Sequence, residues 1–297
     1  GDLIVDRYIN CEPIGMSQEV PIVTMRPITN ENFLGGAGIV AAHSAALGAA
    51  TRIYSVIGND LTGKFIKQKF KDYNVNHNLY LDDSRPTTLK TRFQCENISR
   101  FKLSDLSTRS ISSKIQKKII NDFKKRINEF DAIIFSDFNY GFLTNNLINE
   151  ITEIAINEKK MIIADCQSSS QIGDISKYKN INLLTPTERE ARLALKDQNI
   201  SIPLLIEKLR DITRSKYIIL KMGADGILID HLNSNGHKVT EKLESLSMNT
   251  ADVTGAGDSL LIASTLSLLS GLDIISSSYV GSVAAAIQVG RIGNIPI

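Results

Sequence analysis

The sequence predicts an α/β protein with a mainly parallel central sheet, helices on both faces and a small β lid. Three observations carry that prediction. From Ile111 onward, short apolar runs alternate with longer segments of helical period, the pattern of parallel strands joined by helical crossovers. Before that point several extended segments follow one another without intervening helices, which sets a β flap beside the α/β body. Finally, a polar run from Asn249 leads through Thr254-Gly255-Ala256-Gly257-Asp258 into small and apolar residues that stop at Gly271, a loop feeding a buried helix.

Residues 2–9 read as the first strand. Val20–Met25 reads as a second, more exposed one, because apolar and polar residues alternate there among Pro13, Pro21 and Pro27. Gly35-Gly36 opens a helix that runs to Gly48, and its alanine-rich span 37–47 requires close packing. A strand over Arg52–Ile57 and a helix over Leu61–Tyr73 follow. Extended segments then cover Val75–Leu81, Thr87–Cys95 and Ile98–Leu103, the last two as a hairpin. The alternating part comprises a helix at 112–129, strand Ala132–Ser136, helix 144–157, strands Met161–Asp165 and Asn182–Thr185, helices 187–195 and 202–213, and strand Tyr217–Lys221. After a turn at Gly223–Gly226 come strands Ile227–Asp230 and His237–Glu241, the helix that follows Gly255, and a last helix at 273–289. With no internal repeat and no low-complexity linker, residues 1–297 read as one domain. Gly1-Asp2-Leu3-Ile4-Val5 reads as the second half of a strand and Ile297 stands in mid-loop, so a further terminal segment is expected.

Composition bounds the function. The chain has 297 residues, 42% hydrophobic and 22% charged, enough to bury a large core. Its net charge is only +2 with the basic residues spread out, which argues against nucleic acid as a partner, and the Lys114–Lys125 cluster reads as the wet face of a helix. Cys11, Cys95 and Cys166 are odd in number and lack metal-ligand spacing, so a reducing compartment without disulfides is expected. No apolar run approaches the roughly 18 residues of a membrane span, and the expected location is the cytoplasm.

The chemistry concentrates around Asp258. Glycines at 255 and 257 let the backbone turn so that successive amides point into one small space. The leading amides of a helix lack internal partners and its dipole adds about half a positive charge there, so the turn suits a phosphate. Asp258 inside such a pocket has two readings. It either caps the helix, a place aspartate favours, or acts on a neutral group beside the anion, such as a hydroxyl about to attack a phosphoryl group. A second segment, from Gly58 through Asp60 and Gly63 to Lys64, has the spacing of a P-loop, but Phe65 stands where Ser or Thr must hold Mg²⁺. It reads as a strand-end turn. No G-x-G-x-x-G follows the first strand, which excludes a dinucleotide-binding pattern.

Gly35-Gly36-Ala37-Gly38, Thr185-Pro186 with Glu190, Gly223 with Gly226, and Asp252-Val253-Thr254-Gly255-Ala256-Gly257-Asp258 stand in the order and spacing of the ribokinase-like carbohydrate kinases, the PfkB family. The sequence resembles that family over nearly its whole length. Within it the resemblance is nearest to the heptose 7-phosphate kinases of ADP-heptose synthesis, through Asp2, Asp6-Arg7-Tyr8, Gly35 to Ala49, Thr88-x-Lys90-x-Arg92 and Ser136-Asp137.

The resemblance implies a ribokinase-like fold and an ATP-dependent kinase of a small-molecule sugar or sugar phosphate, with Mg²⁺ as cofactor. Asp258 would take the proton from the sugar hydroxyl, while the amides of Gly255, Ala256 and Gly257 hold the transferring phosphoryl oxygens. Glu190 would organise Mg²⁺ through water. Thr187, Lys221, Gly223 and Gly226 would lie along the nucleotide. Asp6, Gly35 and Gly36 would hold the sugar, with Ile39, His43, Arg92, Asp137 and Tyr140 also on the substrate side. Asp252 and Thr254, with the backbone of 289–293, resemble a monovalent-cation loop, so K⁺ activation is expected. Residues 10–34 and 86–103 resemble the family's β lid, which often pairs subunits, and a homodimer is expected.

Several positions depart from the heptose-kinase pattern. Ile39 and His43 stand for asparagines, Tyr140 for a lysine, and Asp165-Cys166-Gln167 for Asp-Pro-Lys, with a second lysine lost. Thr187 stands for an asparagine. Lost lysines imply a less anionic sugar, or one whose phosphate is bound elsewhere, by Arg92 and Arg100 of the lid. His43 reads as a core or pocket-wall histidine, and Tyr140 either walls the pocket or closes a loop. Asp137 and Asp165 end strands at the carboxyl edge of the sheet, where open α/β proteins place ligands. Glu188, Arg189 and Arg192 read as solvated charges. Two alternatives stay open: a PfkB kinase for another sugar or a nucleoside, and a non-catalytic sugar- or nucleotide-binding relative.

Overall fold

The strands in the middle of the chain are near-continuous apolar runs, and such strands are stable only with both faces covered. They are Ala132–Asp137 (β7), Met161–Cys166 (β8), Leu183–Leu184 (β9) and Tyr217–Lys221 (β10). The computed structural model describes residues 1–96, 98–168, 171–233, 235–247 and 251–297. In it these four strands pair in parallel, in the order β10-β9-β8-β7. Ile227–Leu232 (β11) and Lys238–Leu243 (β12) extend the sheet antiparallel beyond β10. The mainly parallel sheet is the one the sequence predicts.

Helices cover the two faces of this sheet. On one lie Ser113–Arg126 (α3), Asn145–Asn157 (α4), Glu188–Leu195 (α5) and Ile202–Thr213 (α6), whose Ile119, Phe123, Leu147, Leu205 and Leu209 pack with Phe135, Ile162, Leu184 and Ile218. On the other lie Ala37–Ala46 (α1), Ala256–Leu269 (α7) and Ile274–Val289 (α8), whose Val40, Leu261, Ile262 and Ile274 pack with Ile163, Leu183, Ile219 and Ile229. Alternation along the strands sends consecutive residues to opposite cores. Side chains set several helix starts: Ser112, Thr144 and Thr187 accept from the amides of Ile115, Leu147 and Glu190. The alanine-rich α1 is buried over 37–44, as its composition demanded.

A second sheet, in the order β2-β1-β5-β6, forms the lid from Leu3–Met16 (β1), Val23–Gly36 (β2), Leu89–Cys95 (β5) and Ile98–Asp105 (β6). Arg52–Ile57 (β3) and Asn76–Leu81 (β4) pair in parallel across Leu61–Asp72 (α2). The expected hairpin of β5 and β6 is present. The first two strands differ from expectation, since β1 continues past residue 9 to Met16 and β2 begins at Val23 and runs to Gly36. Prolines do not stop them: Pro27 lies on an edge strand, and Pro13 falls at a register shift where β1 pairs with β2 alone. Asp2 fastens β1 to the body. Its N–H donates to Ser136 O at 3.1 Å, and its carboxylate accepts from the amides of Phe138, Tyr140 and Phe142 at 2.8, 3.3 and 3.3 Å.

Candidate active site

A cleft of about 540 Å³ opens between the lid and the carboxyl ends of the parallel strands, and α7 starts on its floor. Gly255 precedes that helix at φ +81°, and a Cβ there would stand 2.3 Å from Asn294 Oδ1, so the turn requires glycine. Among the described residues no side chain caps α7. This removes the capping reading of Asp258, which instead lies buried in the first turn and lines the cleft. Burial, with Asp165 nearby, pushes its carboxyl up to about 7, and Lys221 offsets part of the rise. Asn249 and Thr250, the start of the polar run leading here, lie outside the described residues.

Two strand ends support Asp258 from behind. Asp165, at the end of β8, accepts from Lys221 Nζ at 2.8 Å and Thr185 Oγ1 at 2.8 Å. Burial works against the Lys221 charge, but Asp165 and Glu190 more than offset it and its pKa is raised. Gln167 Nε2 donates to Asp258 Oδ1 at 3.0 Å and Asp165 Oδ2 at 3.2 Å. Glu190 closes a capping box with Thr187, one oxygen accepting the Thr187 amide at 2.8 Å and the other the Ser168 amide at 2.9 Å. The same wall continues through Gly223, Ala224 and Gly226 to the α8 residues Ser282, Ala285, Ala286 and Val289.

The lid supplies the opposite wall: Ile4, Asp6, Gly36, Lys90 and Arg92, with Phe138 from the loop after β7. Arg92 reaches Asp6 Oδ1 at 3.4 Å and Thr254 Oγ1 at 2.9 Å, and its guanidinium lies 5.1 Å from the Tyr8 ring centre. Asp6 is pushed up by burial, against the pull of Arg92 and Lys90. Gly35 packs directly on this carboxylate, where a Cβ would come within 2.3 Å of Asp6 Oδ2.

Behind the Gly255 turn lies a knot of oxygens. Asp252 Oδ1 accepts from the Thr254 amide and hydroxyl at 3.0 and 2.7 Å, and Tyr8 OH donates to Oδ2 at 3.0 Å. Burial raises and these bonds lower the Asp252 pKa, with a net fall. The amides of Ala251 and Asp252 both donate to Val289 O. Gln288 Nε2 donates to the carbonyls of Thr254 and Gly293, while Gln288 Oε1 and Asn294 Oδ1 are buried without a hydrogen-bond partner among the described residues.

Five expected substrate-side residues do not line the cleft: Gly35, which packs on the Asp6 carboxylate, and Ile39, His43, Asp137 and Tyr140. Ile39 is fully buried among Leu3, Leu34 and Phe70, because α1 turns all of residues 37–44 into the core. His43 is buried too; its Nδ1 accepts from the Ile297 amide at 3.1 Å, and burial holds its pKa down at about 4, the core reading of this histidine. Asp137 is enclosed by Lys177 Nζ at 2.5 Å, Tyr178 OH at 2.7 Å and the Asn139 amide at 2.8 Å, which fill its lone pairs. Tyr140 packs behind Phe138 with the Lys90 ammonium 5.2 Å from its ring, so it backs the wall. Arg100 is exposed on β6, and Arg192 pairs with Glu188 across a partly buried turn. Asp60 caps α2 and accepts the Thr87 amide, so the P-loop-like segment is a structural turn. Cys11, Cys95 and Cys166 are buried and free. Sequence reasoning marked Gln167 only as a lost lysine and missed its contact with Asp258, and it missed the Gln288–Asn294 pair and the α8 wall. Lys90 sat inside a quoted motif, and its spacing two before Arg92 was the signal that both share one face of β5.

Comparisons with known proteins bear on the family and the fold. The family described as pfkB family carbohydrate kinase matches residues 1–296. The bifunctional protein HldE of Helicobacter hepaticus is 32% identical over 303 residues, covering 99% of this chain and 60% of that protein. HldE of Campylobacter jejuni subsp. doylei is 29% identical over 300 residues, covering 100% and 61%. The chain thus spans about 60% of the length of these relatives. Among solved structures, Escherichia coli phosphofructokinase-2 in complex with fructose-6-phosphate superposes with a TM-score of 0.77 at 16% identity, covering 98% of this chain and 92% of that one. Arabidopsis thaliana ribokinase complexed with ribose and ATP gives 0.75 at 16% identity, covering 100% and 94%.

Proposed function

The chain belongs to the pfkB family of carbohydrate kinases, and on that premise we propose that it moves the γ-phosphoryl group of ATP to a hydroxyl of a heptose-type sugar phosphate, with Asp258 as the base. The observation that carries this reading is Asp258 itself, buried on the cleft floor beside an uncapped helix start and facing a wall of lid residues. In the reaction the sugar oxygen bonds to the γ-phosphorus as the bond to the β,γ-bridging oxygen breaks, and the hydroxyl proton passes to Asp258. A carboxyl near pH 7 suits that transfer. The amides of Gly255, Ala256 and Gly257 meet the phosphoryl oxygens, and one such donor is typically worth about 3 kcal/mol in the transition state.

Lys90 and Arg92 bring two cations to the sugar end of the cleft, which favours an acceptor that already carries a phosphate over a neutral sugar. Here the lid takes over from the lysines missing at 140 and 167. The wall from Thr187 through Gly226 to Ala286 accommodates the nucleotide.

Glu190 fits Mg²⁺ held through water: each of its oxygens already accepts one amide and leans on the cleft wall. Mg²⁺ held there would offset phosphate charge. The knot behind Gly255 fits a monovalent cation such as K⁺, since Asp252, Thr254 and the orphaned oxygens of Gln288 and Asn294 supply uncharged and singly charged oxygen donors. A cation held there would steady the loop under the anion site. One kinase domain over 1–297, a homodimer joined through the lid and a cytoplasmic location complete the proposal.

The test is ADP release from Mg-ATP across heptoses, hexoses, pentoses and their phosphates, run beside Asp258→Asn. Turnover of one sugar phosphate that the variant loses supports the reading. ATP or sugar binding by calorimetry with no turnover across the panel points instead to a non-catalytic relative.

A further inference from the structure

The end of β8 carries a residue whose placement the phosphoryl chemistry above does not use. Gln167 is fixed on both sides by its backbone: its N–H donates to Asp137 O at 2.8 Å, and its carbonyl accepts from Asn139 Nδ2 at 3.1 Å. The side chain lines the cleft, and its one amide nitrogen stands 3.0 Å from Asp258 Oδ1 and 3.2 Å from Asp165 Oδ2. The next residue donates its N–H to Glu190 Oε1 at 2.9 Å. A single dipeptide, Gln167-Ser168, therefore joins the carboxylate on the α7 floor to the carboxylate on the nucleotide wall.

We propose that Gln167 is a positioning residue for the phosphoryl transfer: its amide spans Asp165 and Asp258, fixes the rotamer of Asp258 toward the acceptor, and sets how strongly that carboxylate holds a proton. The proposal rests on Asp258 serving as the base. Asp165 is already pinned by Thr185 and Lys221, so the amide is anchored at one end and Asp258 is the group it orients. Each amide hydrogen serves one carboxylate, and a neutral donor between two acids separates them without adding charge. A donor to the ionised form favours that form, whereas a cation in the same place would favour it far more. The amide thus leaves Asp258 a better proton acceptor than a lysine would.

The pH dependence isolates this role. The charged groups around Asp258 are Asp165 on β8, Lys221 on β10 and Asp6 on β1, with Glu190, Lys90, Arg92 and Glu244 on the cleft walls. All stay in place when only residue 167 changes. Because transfer needs Asp258 ionised, kcat/KM rises as pH climbs through its pKa. Gln167→Met keeps the length and removes the donor, so the acid limb moves up by about one pH unit. Gln167→Lys adds a cation, so the limb moves down by about one unit or more.

The experiment measures kcat/KM from roughly pH 5 to 9 for wild type and both variants, with the Asp258 carboxyl titrated in parallel by carbon NMR of labelled protein. Opposite shifts in the two variants support the proposal. A limb that stays put in both, or moves the same way in both, overturns it, because loss of mere structural support lowers activity without that sign reversal. If Gln167→Met does not fold, Gln167→Leu, which removes the same donor, takes its place, and an acid limb that fails to rise in it overturns the proposal. If the wild type turns over no sugar, the kinase reading fails, while the carboxyl titration still reads the Gln167 contact.

Discussion

Lys221 and Asp165 form a buried ion pair, Nζ 2.8 Å from Oδ1, directly beside the Gly257 turn, where a Cβ would come within 3.2 Å of the ammonium. This lysine serves two carboxylates at once, since it is bonded to Asp165 and also holds down the pKa of Asp258. Burial, with Asp165 beside it, holds the Asp258 carboxyl near 7, and Lys221 offsets only part of that rise. Its two carboxylate partners make Lys221 costly to lose.

Lys221→Met should destabilise the protein by about 3–5 kcal/mol in urea unfolding, because it leaves Asp165 buried without its cation. Adding Asp165→Asn should recover most of that loss, since the uncompensated charge goes with it. If the double variant is no more stable than the single one, the pair is not the source of the cost.

Asp258→Asn should lower kcat by about 10²–10⁴, the usual range for a general base, and should also stabilise the fold at high pH. The sign follows from the raised pKa. Below the ordinary pKa of 3.8 the carboxyl is protonated in both folded and unfolded chains and contributes nothing. Between that value and about 7 the unfolded chain gives up its proton first, so stability falls as pH rises, and above 7 the full cost of burying the charge is in place. The variant should therefore gain about 1–3 kcal/mol over wild type at pH 8 and little at pH 4. Thermal unfolding at both values checks this, and a gain independent of pH would contradict it.

The parallel strands, the alanine-rich α1 and the Gly255–Asp258 turn were legible in the sequence because each is written locally, as an apolar run, a composition or a glycine spacing. What was illegible depends on distance in the chain. Ile39 stands where the resemblance implied a substrate contact, yet α1 is buried over 37–44 and turns it into the core, with His43, whose core reading the alanine-rich surroundings had offered. Asp137 ends a strand at the functional edge, but Lys177 and Tyr178, about forty residues later, fill it. Gln167 and Asp258 are 91 residues apart, and no local pattern announces that they touch. The lengths of β1 and β2 were misjudged for another reason: prolines usually end strands, and here a register shift and an edge position accommodate them.

Replacing tetramethylammonium with potassium in the assay buffer should raise the rate several-fold if the orphaned Gln288 and Asn294 oxygens share a cation with Asp252 and Thr254. Gln288→Leu should abolish most of the response while the enzyme still binds ATP. Equal rates in the two buffers would remove the cation from the mechanism.

The lid offers the last prediction. Strand alternation sends Lys90 and Arg92 of β5 toward the cleft, so Thr91 and Phe93 face the other way, and their β6 partners Leu103 and Phe101 share that outer face. Phe101 is 59% exposed and Leu103 55%, and Phe93 stacks beside Phe101 with ring centres 5.9 Å apart. An apolar sheet face left in water is a binding surface, and a second lid is the partner the proposed homodimer supplies. Phe101→Lys with Leu103→Lys should therefore shift sedimentation velocity from dimer to monomer. Since neither side chain lies on the cleft face, the Kd for ATP should change less than about threefold. A wild type that sediments as a monomer at micromolar concentration would leave this face without that role.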